Sequence, residues 1–374
     1  MRKVKVLHIN SYYNVSVFYK NLYDKQVQNG LDIEVFVPVS NANSITSREM
    51  GNYTNVSVNH CEYDRYLFHL KHFKILKDIN KNYNMEDFSI IHAHSLFSNG
   101  YIAMKLKKRF KIPYIVAIRN TDVNVFFKKM PHLRKLGIKI LKEASQIIFI
   151  SSSYRDYVIE EYVPDELKQE LCLKALVIPN GIDDYWLKNS NVKTKVPSNK
   201  IKILYIGEIN KNKNITTTIK ALDVLKDNGY DITFTVVGRV IDEKIFNELL
   251  KKAYINYIKP QPKEQLIDIY IENDIFVMPS IKETFGLVYA EAMSQGLPVI
   301  YSKHQGFDKQ FNEGEVGYSV TSKSEKDIAD MILKILSNYS LISKNANLLV
   351  KKFDWNPISE SYKNLYNDMI DKMK

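Results

Sequence analysis

Strand-like and helix-like segments alternate along the whole chain, and this alternation limits the possible folds more than any other feature. In the first half, short apolar runs typical of buried strands stand at residues 4–9, 33–39, 88–93, 114–118, 146–150 and 175–178. Segments with helical periodicity lie between several of them, at residues 16–29, 96–109, 132–144 and 153–162. Strands that alternate with helices form parallel sheets with helices packed on their faces. The pattern therefore predicts an α/β fold.

The alternation starts again after a polar segment. Residues 188–200 contain Asn, Ser, Thr and Pro with few apolar side chains, which indicates a linker. Beyond it, predicted strands at 201–206, 232–237 and 274–278 alternate with predicted helices at 214–228 and 242–253. A chain of 374 residues is too long for one ordinary core. We predict two tandem, doubly wound, Rossmann-like domains, at residues 1–187 and 201–355, and a final helix within 356–374.

Composition narrows the class of protein. The chain is 45% hydrophobic and 25% charged, as globular proteins usually are. No apolar run reaches the length of a membrane span, and no signal-peptide pattern precedes the first predicted strand. Cys61 and Cys172 are the only cysteines, so no disulfide framework is implied. We therefore expect a protein of a reducing compartment, the cytoplasm.

The net charge of +11 indicates either an anionic partner or the use of lysine as a solvated surface residue. The sequence has no zinc-ligand spacing, RNA-binding signature or recognition-helix pattern, so we predict no nucleic acid partner. An anionic membrane surface or a phosphate-bearing substrate explains the charge more economically. Lysine used only as a solvated surface residue is the remaining alternative.

Two glutamates eight residues apart, Glu283 and Glu291, follow the predicted strand at 274–278. The first falls on the loop after the strand and the second lies within the next predicted helix. Parallel sheets bind ligands at the carboxyl ends of their strands, and a helix N-terminus suits a phosphate. A carboxylate on either side of a phosphate site suits the hydroxyl groups at the two ends of a nucleotide-sugar. Two solvated surface acids are the alternative.

The residues around these glutamates make the pattern specific. Pro279-Ser280 stand before Glu283, and Glu291 is followed by Ala292-Met293, Gly296 and Pro298-Val299. This stretch resembles the Glu-x7-Glu signature of the retaining glycosyltransferases of family 4, and the resemblance covers nearly the whole chain. It implies the GT-B fold, with a cleft between two Rossmann-like domains and a last helix that packs on the first domain. It also implies a nucleotide-sugar bound mainly by the second domain and an acceptor bound by the first.

The strand ends of the second domain supply further donor-binding candidates. Gly207 ends one predicted strand, and Lys213, six residues on, matches a lysine of the family. Glu208 stands where the family usually has arginine, which is a departure from the pattern. Gly238 and Arg239 close the next strand. If Glu208 is turned away or paired, Lys213 and Arg239 can face the diphosphate of the donor.

The resemblance also suggests a role for each donor-site residue. Glu283 would contact the sugar hydroxyls and Glu291 the ribose, while backbone N–H groups of the helix start would hold the diphosphate or the sugar. The helix-start residues are Phe285, Gly286, Leu287 and Val288. The sequence has no Asp-x-Asp pair for a divalent ion. We therefore predict no metal and no cofactor, with Lys213 and the helix start neutralising the leaving group.

The predicted strand at 88–93 leads into a His-x-His pair, His92 and His94. Alternation places both side chains on one face. Metal binding is one interpretation, although no third ligand is obvious nearby, and two satisfied core histidines are another. The family has a similar pair whose second histidine contacts the transferred sugar. The resemblance therefore makes His94, at the strand's edge and facing the cleft, a catalytic candidate together with Glu283.

Acceptor-side candidates follow two strands of the first domain. Polar residues at the end of the strand 114–118 suit hydroxyl recognition, or they form an ordinary polar turn. The first strand-helix loop lacks the family's pair of glycines, and it lacks Gly-x-Gly-x-x-Gly, which argues against a dinucleotide oxidoreductase. The predicted acceptor-side residues are Tyr12, Asn14, Arg119, Asn120, Thr121 and Asp122.

Two segments of the first domain mix bases with large apolar residues. Residues 65–79 include Lys71, Lys74 and Phe73, and residues 126–130 include two phenylalanines and two lysines. Such segments suit the interface of an anionic membrane. Amphipathic helices packed on their own sheet are an equal alternative. Peripheral contact with the inner face of the cell membrane is therefore one expectation.

The sequence thus predicts a metal-independent, retaining glycosyltransferase that moves a sugar from a UDP- or GDP-sugar to a glycan or lipid-linked acceptor, in bacterial surface polysaccharide synthesis. A nucleotide-sugar epimerase or a phosphorylase on the same fold is one alternative. A degenerate, non-catalytic glycan-binding homologue is another. Glu208 and the missing glycines favour the last alternative, whereas Glu283, Glu291 and Lys213 argue against it.

Overall fold

The computed structural model of the chain describes residues 4–16, 18–41, 49–193 and 196–372. These residues form two compact units. Unit 1 contains residues 1–150, 155–179 and 355–374, and unit 2 contains residues 151–154 and 180–354. Each unit is built around one parallel sheet, so the predicted α/β class with two tandem Rossmann-like domains is confirmed.

The sheet of unit 1 has seven parallel strands in the order β3-β2-β1-β4-β5-β6-β7. Their bounds are β1 Lys5–Ile9, β2 Asp32–Val39, β3 Thr54–Val58, β4 Ile90–Ala93, β5 Tyr114–Ala117, β6 Gln146–Phe149 and β7 Ala175–Val177. The helices between them are α1 Phe18–Gln28, α2 Phe68–Asn82, α3 Ser98–Phe110, α4 Pro131–Glu143, α5 Ser152–Tyr162 and α6 Asp165–Lys174. The strand order changes direction between β1 and β4. Such a switch point is where open α/β sheets bind ligands.

The sheet of unit 2 has six parallel strands in the order β10-β9-β8-β11-β12-β13. Their bounds are β8 Lys200–Ile206, β9 Asp231–Val237, β10 Ile255–Ile258, β11 Ile275–Val277, β12 Val299–Ser302 and β13 Gly317–Val320. The helices of this unit are α7 Asp184–Lys188, α8 Ile215–Asp227, α9 Glu243–Leu250, α10 Lys263–Glu272, α11 Leu287–Ser294, α12 Glu325–Ser337 and α13 Tyr339–Leu349. Its strand order changes direction between β8 and β11, so the carboxyl ends of these two strands border the switch point.

The last helix, α14 (Trp355–Asp371), completes unit 1 and packs against α1. Its buried residues, among them Trp355, Ile358, Tyr362 and Tyr366, recur every three or four positions. This spacing gives the helix one apolar face, which enters the core formed by β1, β2 and α1. No described helix combines the length and apolar character that crossing a bilayer would require.

One side of unit 1 carries large apolar groups in solvent. Ile75 and Ile79 anchor α2 in the core, but the outer side of this helix and the preceding 3₁₀ turn (Glu62–Tyr66) is open. The side chains there are 43–83% exposed, and we call them the aromatic face: Tyr63, Tyr66, Leu67, Leu70 and Phe73. The sequence prediction of an apolar surface in this segment therefore has a structural counterpart.

The second segment that mixes bases with large apolar residues, residues 126–130, packs within its own unit. Phe127 is fully buried, and the ring of Phe126 stacks on that of Phe97 with centroids 4.7 Å apart and planes at 11°. Lys128 and Lys129 remain exposed. The alternative interpretation, packing on the unit's own core, is thus the right one for these two phenylalanines.

Candidate functional site

The carboxyl ends of β8, β9 and β10 surround an open pocket of about 370 Å³. Its lining includes three predicted donor-binding residues, Gly207, Gly238 and Arg239, together with Glu208, Pro260 and Gln261. The backbone at the two glycines is unusually close. A Cβ atom on Gly238 would lie 1.8 Å from the carbonyl oxygen of Gly207. Only glycine lets the two strand ends pass this closely, which fixes the floor of the pocket.

Glu208 and Arg239 form an ion pair at the rim of this pocket. The Arg239 Nη2 and Glu208 Oε1 atoms are 2.6 Å apart, and both side chains are largely exposed. Asn210 Nδ2 also donates to Glu208 Oε2, at 3.2 Å. The glutamate that departs from the family pattern is therefore paired with a base from the neighbouring strand end, and its charge is balanced.

Lys213 and Glu283 are brought together although 70 residues separate them in the chain. Lys213 Nζ lies 2.6 Å from Glu283 Oε2, and both side chains are mostly covered. The glutamate's backbone is held on both sides, because its N–H donates to Gln305 Oε1 and its carbonyl accepts from the Gly306 N–H. A Cβ atom on Gly306 would lie 1.8 Å from the Thr284 carbonyl oxygen. The loop after β12 thus positions Glu283, a contribution that the sequence analysis missed.

Helix α11 begins directly after Gly286, whose φ of +77° favours glycine. The first-turn N–H groups of Leu287 and Val288 have no carbonyl within the helix to bind. Phe285 contributes backbone only, since its side chain is buried against Phe353. The structure therefore places Glu283 on the loop before the helix and Glu291 as its fifth residue, the arrangement predicted from the sequence.

Glu291 is half-buried and lies beside helix α10. Tyr270 Oη donates to Glu291 Oε2 at 3.3 Å. Burial raises the pKa of Glu291 to about 7, and the negative charge of Asp183 acts in the same direction. The ring of Tyr270 is itself held edge-on by Trp186, with centroids 5.5 Å apart. Tyr270 is a second residue that the sequence analysis missed, because nothing in the pattern of α10 distinguishes it.

In unit 1 the His-x-His pair is joined by a third histidine. His8 on β1 pairs in register with His92 on β4, and His94 directly follows β4. All three side chains are fully buried. The sequence predicted that His94 faces a cleft, but its side chain has no exposed surface. The rings of Tyr19 and Tyr23 pack edge-on against it. Burial lowers the pKa of His8 to about 3 and those of His92 and His94 well below the ordinary value, so the three imidazoles are neutral.

The three histidines form a compact buried group, in which His8 Nδ1 lies 2.9 Å from His94 Nε2. One nitrogen from each lies within 4.8 Å of the others. The rings of His92 and His94 stack with centroids 4.2 Å apart and planes at 18°. Within the described part of the chain, no carboxylate or thiol joins the group, and the charge of Arg119 acts on two of its members.

The predicted acceptor-side residues do not all lie at an open edge. Asp122 is fully buried and accepts hydrogen bonds from three backbone N–H groups, those of Leu96, Phe97 and Arg119. Its carboxylate therefore holds the loop before α3, and it is a structural residue. Burial raises the pKa of Asp122 to about 6, although these three bonds act in the opposite direction.

The remaining acceptor-side residues differ in exposure. Asn14 is buried, Tyr12, Arg119 and Thr121 are half-buried, and Asn120 is exposed. The Arg119 guanidinium lies over the ring of Tyr19, 5.8 Å from its centroid. Only part of the predicted set is thus available to a ligand in this structure.

The raised pKa of Glu291 should make the stability of unit 2 depend on pH. Its folded value, about 7, lies above the ordinary value of 4.5. The stabilising contribution of this group is therefore complete below about pH 4.5 and is lost as the pH rises through 7. We expect Glu291→Gln to remove this loss and to be more stable than wild type by up to about 3 kcal/mol near pH 8. Urea unfolding without nucleotide, at several pH values, measures the difference.

The exposed Glu272 on α10 provides the control for this experiment. Glu272→Gln should follow the wild-type pH dependence throughout. A Glu291→Gln curve that stays parallel to wild type between about pH 4.5 and 8 would contradict the assignment of the raised pKa to this carboxyl.

Comparison with known proteins bears on the family of the chain. The family model described as "Glycosyl transferases group 1" matches residues 188–350, and the model described as "Glycosyltransferase Family 4" matches residues 15–185. The capsular polysaccharide biosynthesis glycosyltransferase CapM of Staphylococcus aureus is 28% identical over 239 residues, which is 61% of this chain and 62% of CapM. The alpha-monoglucosyldiacylglycerol synthase of Acholeplasma laidlawii is 23% identical over 309 residues, 76% of each chain.

A solved structure supports the fold independently. The crystal structure of Anabaena HepE in complex with UDP superposes with a TM-score of 0.71 at 15% sequence identity, covering 98% of this chain and 100% of HepE. At this identity the likeness speaks for the fold alone. Together, the family models and the two parallel-sheet units show that the chain belongs to glycosyltransferase family 4, among the group 1 glycosyltransferases of the GT-B fold.

Proposed function

We propose that the protein is a retaining, metal-independent glycosyltransferase that transfers a sugar from a UDP- or GDP-sugar to a glycan or lipid-linked acceptor, in the synthesis of a bacterial surface polysaccharide. The observation that carries the proposal is the Lys213–Glu283 ion pair on the loops around the start of α11, with Glu291 inside that helix. CapM is named for capsular polysaccharide biosynthesis, the second relative is named as the synthase of a glycolipid, and the HepE structure contains UDP.

The start of α11 is the proposed diphosphate site. Its unpaired N–H groups at Leu287 and Val288 and the positive end of the helix dipole attract a phosphate. Lys213 lies close by and is held by Glu283 in the absence of ligand. An arriving diphosphate competes for the ammonium group, so that Lys213 binds phosphate and Glu283 becomes available to the sugar hydroxyls. Donor binding and recognition of the sugar are then linked through one ion pair.

The nucleoside end of the donor is assigned to the pocket at β8, β9 and β10. Its glycine floor allows close approach of a flat group, and Arg239 stands at its rim. Glu291 and Tyr270 offer an acceptor and a hydroxyl to the ribose. Since two hydroxyl groups donate better to a carboxylate than to a carboxylic acid, donor binding favours the ionised form of Glu291.

The proposed reaction follows from the charge that the site can neutralise, which is the negative charge of the leaving diphosphate. The bond between the anomeric carbon and the phosphate oxygen breaks, and its electron pair goes to the nucleoside diphosphate. The acceptor oxygen forms the new bond on the same face of the sugar and gives its proton to the leaving phosphate. Lys213 and the helix start stabilise the charge that develops on that phosphate, which removes the need for a divalent ion. No covalent intermediate is assigned. We assign no contact with the sugar to His94, because its side chain is fully buried.

Substitution of a charged residue at the proposed donor site should change the affinity for the nucleotide according to the charge that is removed. Losing a charged hydrogen bond costs about 1.5–3 kcal/mol, so Glu291→Ala should weaken the affinity for UDP or GDP about ten- to a hundredfold. Arg239→Ala should weaken it less, and Glu208→Ala should leave it unchanged or tighten it, because that change frees Arg239. Calorimetric titration with each nucleotide measures these affinities.

Glu272→Ala serves as the matched control, since this exposed residue lies on a neighbouring helix and should bind like wild type. Unchanged affinity in Glu291→Ala would remove the basis of the donor assignment. Loss of binding in Glu208→Ala would show that the carboxylate, and not its partner Arg239, meets the ligand.

Transfer should survive chelation. With the donor identified by titration, sugar transfer to a glycan or lipid-linked acceptor in excess EDTA should stay within about twofold of the untreated rate, because protein groups neutralise the leaving group. Activity that is lost in EDTA and restored only by Mg²⁺ or Mn²⁺ would refute metal independence. Nucleotide release without acceptor, or phosphate-dependent glycan cleavage, would support an epimerase or a phosphorylase instead.

The aromatic face is the proposed contact with the membrane that carries a lipid-linked acceptor. Its five exposed side chains are accompanied by Arg65 and by the exposed bases Lys77 and Lys81 of α2. Large apolar groups flanked by bases bind the boundary between headgroups and acyl chains of anionic lipids. Lys71 and Lys74 contribute less than expected, because the first is half-buried and the second is paired with Asp64.

We expect the protein to co-sediment with vesicles containing anionic lipid and to detach as salt rises, because the attraction acts within about a Debye length. The double variant Leu70→Glu, Phe73→Glu should bind several-fold more weakly, while Leu348→Glu, at an exposed leucine of unit 2, should bind like wild type. Equal binding of the double variant and wild type, or no binding of wild type at low salt, would reject the aromatic face as the contact.

A further inference from the structure

The net charge of the chain is concentrated in one short part of unit 1. From the start of α3 to the end of α4, residues 98–143 contain twelve Lys and Arg residues and only two acids, Asp122 and Glu143. This segment therefore carries a net charge of +10, out of +11 for the whole chain. Asp122 is buried and binds three backbone N–H groups, so it does not offset the charge at the surface. Lysine used only as a solvated residue would be spread along the whole chain.

Helix α4 collects three of these bases in a row. Lys135, Lys139 and Lys142 follow one another at intervals of four and three residues, so they lie on one side of the helix. All three are exposed, whereas Leu133 and Ile140, on the opposite side, are buried in the core of the unit. At 1.5 Å per residue, the row extends for about 10 Å along the helix axis.

Helix α3 places further bases beside this row. Lys107 Nζ donates to the Glu143 carbonyl oxygen at 2.6 Å, which holds α3 against the end of α4. The segment has no exposed large apolar side chain. We call the exposed bases of the two helices that extend from the row the basic face: Lys105, Lys108, Arg109, Lys135, Lys139 and Lys142.

The charge of the basic face is almost unbalanced within the protein. In the part of the chain that the structure describes, Lys139 is its one member with an ion-pair partner, and that partner, Glu143 Oε1, lies 3.9 Å away. An exposed pair at this distance contributes little. Bases that repel one another without acids between them favour an anionic partner.

The basic face and the aromatic face belong to one layer of helices. The connections from β3 to β4, from β4 to β5 and from β5 to β6 all cross the sheet in the same direction. Right-handed connections place their helices on the same side of the sheet, and α2 packs against α3 as α3 packs against α4. The outer surface of this layer therefore has large apolar groups at α2 and unpaired bases on α3 and α4.

We propose that the outer surface of the α2–α3–α4 layer lies flat on a bilayer of anionic phospholipid, with the aromatic face inserted and the basic face over the lipid phosphates. A nucleic acid or an acidic glycan would complement the bases alone, whereas an anionic bilayer offers phosphates above an apolar interior. The choice of a membrane rests on the proposed function. Because the layer is parallel to the sheet, the carboxyl edge of the sheet then opens along the membrane and not into it.

Lysine labelling of the full-length wild type tests the contact without any substitution. Acetylation by an N-hydroxysuccinimide ester, with mass-spectrometric detection, is compared with and without vesicles of phosphatidylglycerol and phosphatidylcholine. The lysines of the basic face should react several-fold more slowly with these vesicles, and vesicles of phosphatidylcholine alone should protect none of them. Exposed lysines of unit 2 should be unaffected throughout, namely Lys220, Lys326 and Lys344. Unprotected lysines on the basic face would overturn the proposal.

Charge removal gives the second measurement. The triple variant Lys135→Gln, Lys139→Gln, Lys142→Gln should bind the anionic vesicles about ten- to a hundredfold more weakly, because each base near an anionic surface contributes up to about fivefold. Its binding should also depend less steeply on salt. The matched control, Lys220→Gln, Lys326→Gln, Lys344→Gln, removes the same charge and should stay within about twofold of wild type.

Three results would contradict the flat orientation. Equal loss in the two triple variants would show that only the total charge matters. Binding of wild type to soluble dextran sulfate but not to anionic vesicles would identify a polyanion site. Wild-type binding by the variant Leu70→Glu, Phe73→Glu, with the basic face still protected, would show that the aromatic face is not inserted.

Sugar transfer to a water-soluble acceptor without vesicles separates this proposal from the proposed function. If wild type transfers sugar in solution but its basic face is not protected by vesicles, the membrane orientation is wrong and the proposed transfer stands. If wild type transfers no sugar from any donor, the proposed function fails, and protection of the basic face still establishes the membrane contact.

Discussion

Parallel pairing of strands decides which residues of this protein can meet. In a parallel sheet every connection returns across the sheet, so all strands end at the same edge, and residues far apart in sequence are collected there. Gly207 and Gly238 are neighbours because β8 and β9 run in register to their ends. Glu283 follows β11, which pairs with β8, and so it meets Lys213. In unit 1 the same rule brings His8 beside His92.

The three glutamates of the proposed donor site have three different surroundings. Glu208 is paired with Arg239 in solvent, Glu283 is paired with Lys213 under partial cover, and Glu291 is shielded by burial and by the Tyr270 hydroxyl. Lys213 and Arg239 are thus each paired with an acid. Under the proposed function, a diphosphate competes with Glu283 for Lys213, and the released carboxylate becomes available to the sugar hydroxyls.

Much of the fold and the outline of the donor site could be predicted from the sequence, because both depend on local pattern. Hydrophobic alternation located β1, β8 and β9 within one or two residues of their observed bounds. The spacing of Glu283 and Glu291 placed one on a loop and the other in a helix. His8 and Tyr270 could not be found in this way. Their roles arise from strand register and helix packing between residues far apart, and each is inconspicuous in its own segment.

The sequence also could not predict which side chains within a segment are buried. Phe73 and Phe127 stand in segments of similar composition, yet one is 64% exposed and the other is buried. Asp122 looked like a binding residue and instead ties three backbone amides together. Periodicity defines an apolar face, but which large side chain at its margin enters the core depends on the neighbouring helix, here through the stacking of Phe126 on Phe97.

Because α14 belongs to unit 1, the order in which the two units are completed differs from the order in which they are synthesised. Domains usually acquire their structure one after another as they leave the ribosome, with the amino-terminal one first. Here the core around β1 and α1 needs Trp355, Tyr362 and Tyr366, which are synthesised after the whole of unit 2. The half of the molecule that is translated first is therefore completed last. Until α14 is made, the apolar side chains of α1 that it covers lack their partners.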